Sequence, residues 1–424
     1  MKKQAKTIVV TALATAIAIL LVMNLSSGEK KIDPHIAPLY GVDDPQFARS
    51  MGHLLGPPVV GDNRVDELRN GAQIFPAMLA AIEAAERTIN FETYIYWSGE
   101  VGRRFSEALA AKARAGVKVY VLLDWVGSSQ LDGDLLGAMK AAGVEVEKYH
   151  KPGWFNLTSM NNRTHRKLLV VDGKVGFTGG VGIADKWDGA ADGVDHWRDS
   201  HYRVEGPVVA QMQAAFMDNW LKSHSEVPHG ETYFPPLAPA GPSRAQVFKS
   251  SPAEGSASAR LMYLLSIAAA RRSVHIANSY FVPDDSAVEA LVEARRRGVK
   301  VEVVVPGEHI DTEITRKASK SRWGALLEAG VDIYEYGPTM YHCKAMIVDG
   351  VWVSVGSTNF DSRSFRLNDE ANLNVLDAAF AAQALASFED DKAKSTRVTL
   401  AGWQGRPLAE KATEFLAGLL RAQL

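Results

Sequence analysis

Two patterns of apolar positions alternate along the chain. In one, small and branched apolar residues recur every three or four positions. In the other, short unbroken runs are rich in valine, isoleucine and tyrosine. The first predicts amphipathic helices and the second predicts buried strands. Residues 80–97 (AAIEAAERTINFETYIYW) read as a helix leading into a strand, and residues 264–282 (LLSIAAARRSVHIANSYFV) read the same way. Residues 108–124 and 290–306 each predict a helix, a glycine at its C-terminus (Gly116, Gly298) and a continuous strand. Residues 135–149 and 323–336 repeat that plan.

The order β-α-β-α-β, followed by a hairpin, therefore occurs twice. It predicts an α/β protein of two similar α-β-α lobes with mixed sheets, a duplication with a repeat too long for a solenoid. Proline and glycine crowd the stretch SEVPHGETYFPPLAPAGPS and mark the joint. The expected units are a first lobe over residues 55–224, a linker over 225–245 and a second lobe over 246–424.

Ahead of the lobes, a basic start (MKKQAK) precedes 19 uncharged residues, TIVVTALATAIAILLVMNL. At about 1.5 Å per helical residue this matches a hydrocarbon core of about 30 Å, and it predicts an N-terminal transmembrane helix. Residues 1–28 are read as a membrane anchor, with a secretory signal as the other reading of a basic start and apolar run. Lys2, Lys3 and Lys6 favour a single-pass anchor with a cytoplasmic N-terminus, which puts the main body on the outer face of the cell membrane. Lys30 and Lys31 pull the other way.

Charge narrows the class. The 47 basic and 49 acidic side chains leave a formal net charge of −2, without the basic excess of a general nucleic-acid binder, so no nucleic-acid partner is expected. The single cysteine, Cys343, excludes an internal disulfide framework and a cysteine-based zinc site. His196, His201, His224 and His229 lack metal-ligand spacing, and no metal or other cofactor is expected.

The chemistry lies in a duplicated segment. His165, Lys167 and Asp172 recur at the same spacing as His342, Lys344 and Asp349. In a strand, positions i and i+2 share a face, so each His lies beside its Lys. A cation next to an imidazole on an apolar strand costs stability. Two such pairs in related halves point to one shared cleft. Two imidazoles and two ammoniums suit a phosphodiester: one His attacks phosphorus, the other protonates the leaving alkoxide, and the lysines stabilise the non-bridging oxygens. Asn359, at the end of GSTN, adds an amide donor.

HRKLLVVD (165–172) and HCKAMIVD (342–349), the latter continuing through GSTNFDSRS, resemble the two His-Lys-Asp signatures of the phospholipase D superfamily. The likeness covers about residues 60–420, and FETYIYWSGEVG, FTGGVGIAD and STNFDSRSFRLNDEANL are most similar to its bacterial cardiolipin synthase branch. It implies two lobes about a pseudo-twofold axis, one active site between them and a phosphohistidine intermediate. By analogy His165 is the nucleophile and His342 the acid and base. A later carboxylate holds the imidazole in this family; Glu370 fits in the second half and Asp199 aligns with it in the first. Asp172 and Asp349, in Asp-Gly turns, shape the site. One departure stands out: where the second copy has Gly356-Ser357-Thr358-Asn359, the first has Gly179-Gly180-Val181-Gly182 and lacks both donors.

The resemblance implies a phospholipid substrate at a membrane, with no obligate protein partner. The first reading is a phosphatidyltransferase that joins two phosphatidylglycerols into cardiolipin and releases glycerol. A hydrolytic phospholipase D and a metal-independent phosphodiesterase or nuclease use the same residues, and a vestigial scaffold is the non-enzymatic alternative. Residues 154–163, WFNLTSMNNR, are read as lining an acyl channel, resting at the membrane interface or packing in the core. The basic run ARRRGVK at 294–300 reads as a solvated face, and Lys and Arg within 309–327 as possible headgroup contacts.

Overall fold

The computed structural model describes residues 2–25, 36–151, 161–252, 255–421 and 423. Two helices come first, α1 (Lys2–Leu25) and α2 (Pro45–Leu55). The first lobe runs β1 (Val60–Arg69), α3 (Asn70–Ala84), β2 (Thr88–Thr93), α4 (Glu100–Arg114), β3 (Lys118–Asp124), α5 (Gly133–Ala141), β4 (Glu145–Tyr149), β5 (Leu168–Val171), β6 (Val175–Gly179), β7 (Ser200–Glu205) and α6 (Val209–Ser223). The second repeats this order: β8 (Ser243–Ser250), α7 (Ser258–Ala269), β9 (Ser273–Asn278), α8 (Asp285–Arg296), β10 (Lys300–Pro306), α9 (Glu313–Lys320), α10 (Trp323–Glu328), β11 (Asp332–Tyr336), β12 (Lys344–Val348), β13 (Trp352–Gly356), α11 (Ser362–Arg366), β14 (Glu370–Leu376) and α12 (Ala378–Ala393). A tail of β15 (Ser395–Val398), α13 (Leu400–Gln404) and α14 (Leu408–Leu419) follows.

The strands form one mixed sheet in the order β15-β11-β10-β9-β12-β13-β14-β8-β1-β7-β6-β5-β2-β3-β4. Parallel pairs β2–β3–β4 and β9–β10–β11 are the crossover units that their intervening helices require. The lobes meet edge to edge where β1 pairs antiparallel with β8, so neither lobe leaves that strand edge open. β8 begins at Ser243, within the stretch expected to be linker.

The Asp-Gly pairs make the predicted tight turns. Asp172 and Gly173 have φ of 53° and 64°, Asp349 and Gly350 φ of 54° and 67°, left-handed values that turn the chain between Val171 and Val175 and between Val348 and Trp352. Helices α3, α4 and α5 bury one face on the first lobe's sheet through Phe75, Phe105 and Met139. Helices α7, α8 and α10 do the same in the second through Met262, Leu291 and Leu326. A third core joins the lobes, with Met212, Phe216 and Trp220 of α6 and Phe380 and Phe388 of α12 packed among strands from both halves.

The predicted transmembrane segment falls in α1, whose side chains beyond Ile19 lie outside the described residues; among the described residues no helix is long and apolar enough to cross a membrane. Most of WFNLTSMNNR also lies outside them.

Candidate active site

Each motif histidine sits in extended chain just before or at the start of a sheet strand, and a backbone bridge from the other lobe fixes it there. The His165 N–H donates to the Asp369 carbonyl at 2.9 Å, and the Asp369 N–H donates to the Arg163 carbonyl at 2.8 Å. In the mirrored arrangement, the His342 N–H donates to the Arg198 carbonyl at 2.8 Å and the Arg198 N–H to the Met340 carbonyl at 2.9 Å. These bridges carry Glu370 and Asp199, each one residue further along, to the opposite imidazole. His165 Nδ1 lies 3.0 Å and 3.1 Å from the two Glu370 oxygens. His342 Nδ1 lies 2.7 Å from Asp199 Oδ2. Each carboxylate thus serves the histidine of the other half. With a carboxylate on Nδ1, that nitrogen carries the proton and Nε2 keeps its lone pair for the cavity.

The lysines are tied to the same histidines. Lys167 Nζ donates to the His165 carbonyl at 2.8 Å, and Lys344 Nζ to the His342 carbonyl at 2.7 Å and to Ser279 Oγ at 2.8 Å. Ser279 in turn donates to Asn359 Oδ1 at 2.9 Å, which turns the Asn359 amide nitrogen towards the cavity. The ring of Tyr94 stands 5.6 Å from Lys167 Nζ.

The two carboxylates are held differently. Glu370 accepts from Ser357 Oγ, from Ser364 Oγ at 2.7 Å and weakly from Asn368. Asp199 accepts from the Trp187 indole N–H at 2.9 Å and the Ser200 N–H at 2.8 Å. The first copy's missing serine has a steric reason: a Cβ at Gly180 would lie 2.1 Å from Asp199 Oδ1. The shorter acid sits against the strand backbone in the space a side chain would fill, and Trp187 supplies its donor.

Burial sets the charge states. It pushes the His165 imidazole down to about 4, against the pull of Glu370 and with the help of Lys167. Burial, and then Lys344, lower His342 despite Asp199. Burial brings Lys167 down to about 7 and also lowers Lys344. It works to raise Glu370 and Asp199, but the facing histidines and lysines outweigh it and hold both below the ordinary carboxylate range.

His165, Lys167, His342 and Asn359 line one cavity of about 390 Å³. Lys344 is not among the cavity's lining residues; its Nζ lies 3.2 and 3.3 Å from the two His342 ring nitrogens. Asp172 and Asp349, counted among the site residues on the sequence, do not line it. Asp172 accepts from the N–H groups of Glu86, Arg87 and Thr88 at 2.9, 2.7 and 2.8 Å. Asp349 accepts from those of Arg271, Arg272 and Ser273 at 2.8, 2.7 and 2.8 Å. Each ties its hairpin to the chain that begins the lobe's first parallel strand. The reason is directional: the Asp lies at the far end of a strand whose near end carries the His.

Arg163, the end of the stretch WFNLTSMNNR, lines the cavity, and so do several residues that the sequence pattern does not single out: Tyr94, Trp187, Trp197, Tyr280, Asp311, Asp361 and Arg363. Burial raises the Asp361 carboxyl to about 7. Of the Lys and Arg within 309–327, Arg316 pairs with Glu335, Lys320 with Glu410 and Arg322 with Asp285. Among the described residues, two groups outside the cavity bring metal-capable atoms within 4.8 Å of one another, Glu145-His224-Glu226 and His275-Glu302-Glu389. Lys300 and Lys392 already neutralise Glu302.

The profile of the family described as "Cardiolipin synthase, PLD-like domain" matches twice, over residues 78–217 and 263–392. The chain belongs to this phospholipase D-like family. Its two matched segments are the two lobes, each bearing one His-Lys pair. A probable cardiolipin synthase of Bacillus subtilis, YwiE, is 36% identical over 365 residues, 85% of this chain and 72% of that one. Cardiolipin synthase A of Pseudomonas entomophila is 36% identical over 352 residues, 83% of this chain and 73% of that one. In fold, the chain is similar to the crystal structure of a phosphatidylserine synthase from Haemophilus influenzae, with a TM-score of 0.67 at 14% identity over 90% of this chain and 100% of that one. The phospholipase D-like assignment fits the mixed α/β sheet and the cavity that both motif histidines line.

Proposed function

We propose that the chain is a phosphatidyltransferase that converts two phosphatidylglycerols into cardiolipin and glycerol. Relatives named cardiolipin synthase at 36% identity over most of the chain support this reading. The observation that carries it is the pair of buried, carboxylate-held imidazoles facing one cavity from opposite lobes.

His165 is the nucleophile. Its neutral Nε2 attacks phosphorus, the bond to the glycerol oxygen breaks, and protonated His342 gives its proton to the departing oxygen. The bound phosphodiester anion raises the proton affinity of His342, offsetting the burial that lowers it. A hydroxyl of a second phosphatidylglycerol then loses its proton to His342 and attacks the phosphohistidine. The P–N bond breaks, cardiolipin leaves and His165 is restored. Lys167, Lys344 and the Asn359 amide stabilise charge on the non-bridging oxygens throughout.

The reading includes a membrane anchor at α1. Ile8, Val10, Leu13, Ile17 and Ile19 are exposed along it, an apolar surface that a bilayer would cover. The orientation with the lobes on the outer face rests on Lys2, Lys3 and Lys6. Removing residues 1–35 should shift the protein from the membrane to the soluble fraction.

Incubation of the purified chain with vesicles of labelled phosphatidylglycerol, followed by lipid separation, tests the activity. Cardiolipin with an equal amount of glycerol is expected; phosphatidic acid as the only lipid product would overturn the transferase assignment in favour of hydrolysis.

A further inference from the structure

The cavity has two chemically different sides. Beside His165 stand Lys167 and one ring, that of Tyr94 at 5.2 Å, and Arg163 and Arg363 also line the cavity. Beside His342 stand Lys344 and three aromatic rings, one of which holds an acid. The Trp187 and Trp197 rings lie 5.3 and 5.5 Å from the His342 ring, and the Tyr280 ring lies 6.2 Å away. The Tyr280 hydroxyl donates to Asp311, with Oδ1 at 2.8 Å and Oδ2 at 2.7 Å. Asp311 is exposed to the cavity, and Thr312 beside it also lines the wall.

A carboxylate is out of place as a phosphate ligand, since it repels the substrate's charge. It is an acceptor for hydroxyl groups, and its hydrogen bonds to them are the strong, charge-assisted kind. Indole and phenol faces suit the C–H surfaces of a polyol. We propose that Asp311, held by Tyr280 and lining the cavity together with Thr312 and Trp197, forms a polyol subsite that receives the glycerol group next to His342.

The chemistry of the transfer explains why one subsite suffices, and this step rests on the transferase reading above. The leaving glycerol must take a proton from His342 and the attacking glycerol must give one back. Both therefore occupy the same place in turn. A side chain that grips a second hydroxyl of the acceptor favours it over water or a simple alcohol, neither of which has one.

The test is a competition for the phosphatidyl-enzyme. The purified full chain is given phosphatidylglycerol vesicles with labelled glycerol and ethanol in equal concentration. The ratio of labelled phosphatidylglycerol to phosphatidylethanol reads acceptor selection, whatever the rate at which the intermediate forms. Asp311→Ala should lower that ratio about tenfold or more, the loss of one hydrogen bond to a charged group. It should also raise phosphatidic acid relative to cardiolipin. Tyr280→Phe, which frees Asp311 without removing it, should move the ratio the same way but less. An unchanged ratio in Asp311→Ala, with cardiolipin still made, would overturn the subsite and leave the transferase reading standing. Wild-type protein that makes no cardiolipin would overturn the transferase reading instead, and the two alcohols would still report on the subsite.

Discussion

His165 takes its carboxylate from the other half of the molecule: its Nδ1 lies 3.0 Å from Glu370, 205 residues away. The Asp369–His165 backbone bridge places it there, and the mirror bridge through Arg198 brings Asp199 to His342. Neither lobe holds a complete imidazole–carboxylate pair by itself, so the junction between lobes is the site.

Glu370→Gln keeps the shape of the side chain but removes the charge that fixes the His165 tautomer. Its amide can present a donor to Nδ1 and turn the Nε2 proton towards phosphorus. Turnover of phosphatidylglycerol should fall by roughly two to four orders of magnitude. Asp199→Asn should cause a loss of the same order through His342. Steady-state assays checked against unchanged unfolding midpoints would show this, and wild-type rates in Glu370→Gln would refute the role given to the cross-lobe pair.

The order of the histidines can be read with a substrate whose leaving group needs no proton. With phosphatidyl-p-nitrophenol, His342→Ala should still release p-nitrophenol in a burst and trap a phosphoprotein. His165→Ala should do neither. A phosphoprotein in His165→Ala and none in His342→Ala would reverse the assignment.

The pH dependence follows from three buried groups. His165 acts when neutral, so kcat/KM is lost as pH falls through about 4, where it takes a proton. His342 and Lys167 act when charged, so kcat/KM is lost on the alkaline side in two steps, as His342, held below its ordinary value by burial and Lys344, gives up its proton and as Lys167 does so at about 7. Lys167→Arg keeps its charge at every accessible pH and should remove the step near 7 while leaving the His342 step and the acid limb in place. A step that stays near 7 in Lys167→Arg would assign it to another group.

Asp172 and Asp349 predict a stability effect rather than a chemical one. Each carboxylate collects three backbone N–H groups that would otherwise be left unpaired at the start of a strand. Asn tolerates the left-handed turn but accepts with one oxygen and no charge. Asp172→Asn should therefore cost roughly 2 kcal/mol in denaturant unfolding, with turnover per folded molecule unchanged. A turnover loss without a stability loss would put Asp172 back in the chemistry.

Much of this arrangement is written locally. The helix–glycine–strand units, the Asp-Gly hairpins and the His-Lys pairs are set by neighbours in the chain, so periodicity and spacing display them. The exchange of Glu370 and Asp199 is not local; it depends on two backbone bridges between segments far apart in the chain, Thr164 with Asp369 and Arg198 with Tyr341, which set pairs 205 and 143 residues apart. Trp187 was hidden for another reason: no local pattern announces that an indole will supply the donor a serine gives in the other half. Asp311 lies in a loop before α9, where only the fold reveals that it faces the cavity. The apolar run of α1 was plain, and its relation to a membrane is a property of the surroundings rather than of the chain's own contacts.

The sharpest test of the asymmetry is Gly180→Ser. On sequence it makes the first copy more like the second, where Ser357 supports Glu370, and so reads as a gain of a donor. In the structure it is a clash: the new Cβ would lie 2.1 Å from Asp199 Oδ1 and 2.6 Å from Oδ2, inside any van der Waals contact. Asp199 is fully buried, the Trp187 indole holds one side of it and the Ser200 N–H the other, so it can move only by leaving His342. Overpacking of this kind costs about 1–3 kcal/mol in stability. Turnover should fall as far as in Asp199→Asn, by roughly two to four orders of magnitude, because the same imidazole loses the same partner. Ser357→Gly in the second lobe removes a hydrogen bond without a clash and leaves Ser364 on Glu370, so its effect should be the smaller of the two. Equal effects of the two substitutions, or an active Gly180→Ser, would show that the lobes hold their carboxylates in the same way and that the indole of Trp187 has no part in it.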